Sequence, residues 1–329
     1  MEIFSAYILY FFTFALCVIL TFLIIWRFNK RYSQKCTIIS DQSKSGNKIR
    51  NSYTLCNSLE CVRCAGGHST LQTALTRLSY FADNDPSVKK YDVESLLLDL
   101  RKSLALIKKK EEVTDINTLS SPSISSSTPV VFKMSGLREK TFWSKNDFPA
   151  LQILDKYFHQ IYSEFINVYN SPEKDIQGLW KTNSSASGKW SILHIFDQGK
   201  ATKVAELCPF TYDVLTKIPY FMNGNIFANA AFSVVHPNTL IAKHCGSTNC
   251  RIRCHLGLKV PKDECILEVG GESRIHEEGK IVCFNDAFPH SVQHKGLNES
   301  HIRVIFMFDM WHPDITDSQK KILSYAFSA

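Results

Sequence analysis

The run Ile252-Arg-Cys-His-Leu-Gly-Leu-Lys-Val260 decides how the rest of the chain is read. Along an extended strand, residues two apart share a face. Arg253 and His255 therefore point one way, and Ile252, Cys254 and Leu256 the other. A basic pair on one face of a core strand is costly to bury without a compensating anion. A bound dicarboxylate is one reading of that face, and a solvated outer face is the other. Similar β-rich runs lie on both sides, at Trp190–Phe196, Ala230–His236, Ile281–Phe284 and Arg303–Met310, separated by Gly, Pro, Asn and Asp turn signals. Upstream, residues 147–169 read as an amphipathic helix with Leu151, Leu154, Phe158, Ile161, Phe165 and Val168 on one face, and residues 317–327 as a closing helix. Helices first and strands after argue for a β-sandwich or barrel with helices packed outside.

Between Ser233 and Asp309 stand two histidines, His244 and His290, with Arg253, His255 and Arg303. Together they describe a cation site for two imidazoles, with basic side chains aimed at a dianion beside it. An iron(II) oxygenase consuming 2-oxoglutarate needs that pairing, because metal and keto acid must meet in one pocket. The usual non-haem iron site adds one carboxylate to two histidines. Here the position two residues after His244 is Gly246, which leaves that place to water or another small ligand. A single histidine is more often a surface or hydrogen-bonded core residue, but two of them with an arginine on a later strand form a more specific pattern. Arg303 adjoins the apolar run Val304–Phe308, where an arginine calls for an anion. Asp286 reads either as an acceptor for a ligating histidine's ring N–H or as a turn aspartate. Cys245, Cys250, Cys254 and Cys265 permit a structural zinc reading, although their spacing does not match a knuckle.

The flanks carry attachments. Residues 3–26 are 24 in number and hold no charge, the length of a bilayer-spanning helix. A secretory signal would want a basic start and a shorter apolar core, so a retained membrane anchor is expected. Arg27, Lys30, Arg31 and Lys35 follow it and favour a cytosolic C-terminal region. The sequons at Asn183 and Asn298 favour the lumen instead. The net charge of +7 is concentrated beside this segment: from Lys133 to Lys321 there are 22 basic against 20 acidic residues. No basic stripe with interleaved aromatics marks a nucleic-acid surface. Among eleven cysteines, Cys36 lies where juxtamembrane palmitoylation occurs. Cys56, Cys61, Cys64 and His68 form C-x4-C-x2-C-x3-H, read as a zinc site or as unrelated thiols in a linker over residues 27–70. Leucines at helical spacing in Leu71–Phe81 and Val93–Ile107 predict a small helical hairpin within residues 71–112, or a stalk that packs on a partner. Residues 113–129, rich in Ser, Thr and Pro, read as a flexible linker to a folded domain from Val130 onward.

That last region resembles the catalytic domain of the aspartyl/asparaginyl β-hydroxylases. The resemblance rests on Gly136-Leu-Arg-Glu-Lys-Thr-Phe-Trp143, His236-Pro-Asn-Thr239, the run from His244 to Leu258, Glu277-Glu-Gly-Lys280 and Asp309-Met-Trp-His-Pro313. The single anchor on a short chain is similar to the branch described as aspartate β-hydroxylase domain-containing. The resemblance implies a double-stranded β-helix (jelly-roll) core with flanking helices. It implies that His244 and His290 bind Fe(II), with Gly246 at the vacant carboxylate position. Ser233, Arg253, His255 and Arg303 would hold 2-oxoglutarate, and Trp190 would line its pocket. O2 would be consumed and a peptidyl Asp or Asn side chain hydroxylated; in well-studied members the acceptor is an EGF-like domain in the endoplasmic reticulum lumen. The match weakens before Ile218, where Cys208 stands alone in place of that enzyme's disulfide-bridged substrate loop. The rival expectation is a non-catalytic binding module that keeps the jelly-roll and serves assembly at a membrane.

Overall fold

Two helices open the described chain, α1 (His68–Asn84) and α2 (Lys90–Glu112). There follow β1 (Phe142–Trp143), α3 (Ile153–Tyr169), α4 (Lys174–Gln177), β2 (Lys181–Ser185), β3 (Gly188–Asp197), β4 (Lys200–Ala201), α5 (Val204–Leu207) and α6 (Pro209–Lys217). Eight strands come next: β5 (Ala230–Val235), β6 (Thr239–His244), β7 (Arg251–Lys259), β8 (Cys265–Val269), β9 (Glu272–Ile275), β10 (Ile281–Phe284), β11 (His290–His294) and β12 (Arg303–Trp311). The helix α7 (Asp317–Ala326) closes the chain. This computed structural model describes residues 62, 67–84, 89–112, 127–185 and 188–329, all within the unit Ser52–Ala329. The apolar run 3–26 and Cys56, Cys61 and Cys64 lie outside the described residues. Among the described residues no helix is long and apolar enough to cross a membrane.

Strands β5 to β12 divide between two antiparallel sheets. The larger runs β1-β10-β7-β12-β5-β3-β2, with β4 beside β3, and the smaller runs β6-β11-β8-β9. That division is the jelly-roll expected above. Strands β5 and β12 are flanked on both sides and buried along their whole length, so they read as nearly unbroken apolar runs. Val304, Phe306, Phe308 and Met310 of β12 pack with Ile252, Cys254 and Leu256 of β7 on the outer core face. The opposite parity, Arg303, Ile305, Met307 and Asp309, faces the smaller sheet together with Arg253 and His255. The alternation read from residues 252–256 is thus the alternation of the fold.

Helix α3 lays Leu154, Ile161, Phe165 and Val168 against the outer core face, with the Phe165 and Phe232 rings 5.4 Å apart. It starts at Ile153, six residues later than the apolar spacing predicts. Two 3-10 turns precede it, the first closed by a capping box between Ser144 and Asp147, the second opened by Pro149. Proline lacks the N–H that a continuous helix would use there. The hairpin α1–α2 packs on the domain itself. Leu71, Leu78, Leu96 and Leu100 form one apolar cluster with Phe132, Ile322, Leu323 and Phe327. Asp99 of α2 accepts from both the backbone N and the Oγ of Ser135, each at 2.7 Å.

Candidate active site

His244 ends β6 and His290 begins β11, and the two are direct partners in register. Their ring centroids lie 4.1 Å apart. Each Nδ1 sits beside the carbonyl two residues earlier, Ala242 O at 2.8 Å for His244 and Phe288 O at 2.9 Å for His290. A carbonyl only accepts, so each Nδ1 carries the proton and each Nε2 the lone pair that a metal takes. Among the described residues no group of three or more His, Cys, Asp or Glu side chains is placed to hold a metal. Gly246 explains why a carboxylate cannot join from the usual position. A β-carbon there would lie 2.5 Å from Cγ and 2.6 Å from Oδ1 of Asp286, inside any tolerable contact.

Asp286 stands in the turn between β10 and β11, as the second of its two readings has it, and there it is wholly buried in an ion cluster. Arg251 donates to it through Nε at 3.2 Å and Nη2 at 2.5 Å, and Arg253 Nη1 stands 3.3 Å away. Asp309 completes the set, accepting from Arg253 Nε at 2.9 Å and Nη2 at 3.0 Å and from Arg251 Nη1 at 3.2 Å. Burial alone would raise the Asp286 carboxyl, but the charges of Arg251 and Arg253 override it and hold it well below the carboxylate range. Burial alone would weaken Arg253, and Asp309 and Asp286 override that too, raising it. Two guanidinium groups meet two carboxylates, so Arg253 is already compensated within the protein. The demand for an outside anion, read from residues 253 and 255, does not arise at Arg253.

It arises at Arg303. This side chain is 1 % exposed, and its Nε and Nη1 have no hydrogen-bond partner in the protein. Burial pulls the guanidinium down to about 10, opposed only by the nearby Cys265 thiol. Burying an unpaired charge is among the costlier things a fold can do. Across β5, Arg303 stands opposite Val235, and Val235 opposite Trp190 of β3. The Trp190 Nε1–H donates to Ser233 Oγ at 3.0 Å, which leaves the serine's own proton to donate elsewhere. Trp190, Ile192, Ala231, Ile305 and Met307 form a small apolar cluster on this inner face. His255 lies on the same face, its Nδ1 3.1 Å from Nε2 of His276, and both rings are pushed far below the usual histidine range, first by burial. Phe284 separates the two clusters of rings, 4.8 Å from His255 and 5.6 Å from His290.

Asp309 escaped the sequence reading as a counter-ion, although its spacing of six from Arg303 puts both on one face of a strand. Arg251 shares parity with Arg253 and was equally legible. His276 gave no signal, because it lies outside any apolar or alternating run. Two imidazoles with Nδ1 turned to backbone carbonyls fit a divalent metal, and an uncompensated guanidinium beside a serine hydroxyl fits a carboxylate. Among the described residues, Cys245, Cys250, Cys254 and Cys265 do not converge on a metal cluster.

Residues 155–313 match the family described as Aspartyl/Asparaginyl beta-hydroxylase. The human "Aspartate beta-hydroxylase domain-containing protein 2" is 33% identical over 290 residues, covering 87% of this chain and 74% of its own length. The chain belongs to the aspartyl/asparaginyl β-hydroxylase family. The human protein named "Aspartyl/asparaginyl beta-hydroxylase" is 30% identical over 200 residues, which is 59% of this chain and 25% of that one. Among solved structures, a prolyl-4-hydroxylase from Pseudomonas putida overlaps 47% of this chain and 87% of its own at 12% identity, with a TM-score of 0.31. That overlap is too slight to bear on chemistry. Every inner-face residue named above lies within the matched segment, so this β-hydroxylase family member keeps its two-histidine pair and its buried arginine inside the family's own boundaries.

Proposed function

We propose that the chain is a membrane-anchored Fe(II)/2-oxoglutarate dioxygenase that hydroxylates a peptidyl side chain of the Asp or Asn type. The observation that carries this is Arg303 of the larger sheet, a buried guanidinium that the protein itself leaves uncompensated, together with a histidine pair on the smaller sheet whose Nε2 atoms are set to bind a cation. Fe(II) would be held by His244 and His290, and bound there it would activate O2 at the expense of the keto acid. Arg303 and Ser233 would bind a carboxylate of 2-oxoglutarate, with Trp190 covering its carbon chain. His255, kept neutral by burial, would add a hydrogen bond without adding charge. Arg253 would act from within the Asp309–Asp286 cluster, holding the loop that carries His290 and limiting where a second carboxylate can lie. The apolar cluster of Ile192, Ile305 and Met307 would exclude water from the reacting end.

The acceptor and its compartment form part of this proposal. A lumenal domain would meet EGF-like modules, whereas a cytosolic one would not; protease protection of intact microsomes, with glycosylation at Asn183 and Asn298 as the second readout, separates the two. The reaction is tested by decarboxylation of labelled 2-oxoglutarate by the full-length chain with Fe(II), beside His244→Ala and His290→Ala. Turnover lost in both variants supports the reading. Equal turnover in all three removes the metal assignment. Tight binding of metal and keto acid without turnover on any peptide library would instead identify a binding module.

A further inference from the structure

His276 precedes the loop Glu277–Lys280 that crosses the inner face, and a glycine admits it there. Gly257 shares the face of Arg253 and His255, and a β-carbon on it would lie 3.0 Å from the Glu277 carbonyl carbon. The loop is pinned to that spot by Gly257 N to Lys280 O at 3.0 Å and Gly279 N to Gly257 O at 2.8 Å. His276 N bonds Cys265 O on the other side, at 3.0 Å. The His276 ring is thereby delivered to His255, with ring centroids 5.4 Å apart, planes within 24° and the two nitrogens 3.1 Å apart. That combination is an in-plane N–H···N hydrogen bond, so one ring donates and the other accepts.

Which ring donates follows from the far nitrogen of His276. Its Nδ1 is buried with no partner in the protein. A buried N–H left unpaired is rarer, and costs more, than an underused acceptor. The proton of neutral His276 therefore sits on Nε2, and His255 Nδ1 is the acceptor. Neutral His255 then holds its own proton on Nε2, the edge directed away from His276. Both rings are almost wholly buried, at 5 % and 2 % exposure, so neither is free to turn over.

We infer that His276 is a positioning residue that fixes His255 in the Nε2–H form, so that His255 presents a hydrogen-bond donor to an anionic ligand in the pocket of Arg303. This deepens the proposed function and rests on its dicarboxylate pocket. Without His276, His255 is free to move its proton to Nδ1 and offer a lone pair to a carboxylate, which repels.

The test uses the full-length chain with nitrogen-labelled histidine. Ring spectra of the metal-free protein read the His255 tautomer, and calorimetry with 2-oxoglutarate, in the presence of redox-inert zinc(II), reads binding. His276→Leu removes the donor; His276→Gln returns an amide N–H at the same reach. The expected result is a single Nε2–H form of His255 in the wild type. His276→Leu should show mixed tautomers and about tenfold weaker binding, the worth of one good hydrogen bond, and His276→Gln should recover most of it. A wild-type His255 protonated on Nδ1, or undiminished binding by His276→Leu, overturns the positioning role while leaving the pocket intact. If the wild type shows the Nε2–H form but takes up no 2-oxoglutarate, the pocket itself is wrong and the purpose given to His276 falls with it.

Discussion

Gly246 and Asp286 are packed so closely that the glycine has no room to be anything else: a β-carbon would stand 2.5 Å from the carboxylate carbon of Asp286. The place of a carboxylate in the proposed metal site is therefore closed by the packing around the ion cluster of Arg251, Arg253 and Asp309. Installing a carboxylate there should fail. Gly246→Ala is expected to cost about 1–3 kcal/mol by overpacking, and Gly246→Asp more, since it brings a second carboxylate against Asp286. Both variants should bind metal more weakly than the parent. Unfolding in denaturant and metal titration check this; a Gly246→Asp protein with parental stability and tighter metal binding would refute it.

Arg303 and Arg253 should respond in opposite ways to the same change. Arg253→Met leaves Asp309 and Asp286 short of a partner and is expected to cost about 3–5 kcal/mol of stability, the usual result of breaking a buried ion pair. Arg303→Met removes a buried charge that nothing in the protein offsets, so the ligand-free protein should be at least as stable as the parent. Its affinity for 2-oxoglutarate should nevertheless fall by about 100-fold, the worth of a pair of charge-assisted bonds. Chemical denaturation and calorimetry on the two variants decide it. Equal destabilisation by both would mean that Arg303 has a protein counter-ion after all.

That contrast also shows what the sequence could and could not reveal. Five of the eight strands of the larger sheet are legible: β3, β5, β7, β10 and β12 coincide, within two residues at each end, with the β-rich runs of the sequence, and the short β1 and β4 and the polar β2 do not. None of β6, β8, β9 and β11 was read as a strand. They are four to six residues long, and β9 (Glu-Ser-Arg-Ile) is exposed throughout. Strand β11 (His-Ser-Val-Gln-His) turns His290, Val292 and His294 inward, so its buried face is two-thirds imidazole and carries little apolar signal. The smaller sheet is hidden because it holds the candidate metal ligands. That His244 meets His290 is a fact of register between strands whose histidines lie 46 residues apart, which no local pattern encodes. The pairing of Arg253 within the protein is hidden for the same reason, since Asp286 and Asp309 reach it from distant segments.

The inner face should make stability depend on pH near neutrality. His194 stands in the same register row as Ala231, Met307 and His255, and burial pulls it from 6.5 to about 4. Between those values the unfolded chain binds a proton there and the folded chain does not. Stability therefore rises with pH across the window, is fully present above about 6.5, and is lost as the pH falls towards 4. His255 and His276, displaced in the same direction, add to the slope. Replacing His194 with Phe should flatten it by up to about 1.4 kcal/mol per pH unit, the effect of one proton. Unfolding curves collected between pH 4.5 and 6.5, roughly spanning the two values, test this; an unchanged slope in His194→Phe would mean that the ring titrates normally.

The helical hairpin is expected to behave as part of the folded domain rather than as a detachable stalk. Leu71, Leu78, Leu96 and Leu100 are at most 2 % exposed, and they cover Phe132 and Phe327, which are themselves fully buried. Each such leucine is worth about 1.5–3 kcal/mol when taken from water, and their removal would open a continuous apolar patch of the kind that drives association. Polar contacts tie the same surface, from Asp99 to Ser135 and from Arg77 Nη1 to Ser328 O at 3.1 Å, the last residue but one. A fragment of residues 127–329 should therefore unfold at a lower denaturant concentration than residues 62–329, and should self-associate. Asp99→Ala in the longer fragment, which loses two bonds to Ser135, should cost about 1–3 kcal/mol and move part of the way towards the truncated form. Equal midpoints for the two fragments would show that the hairpin rests on the domain without supporting it.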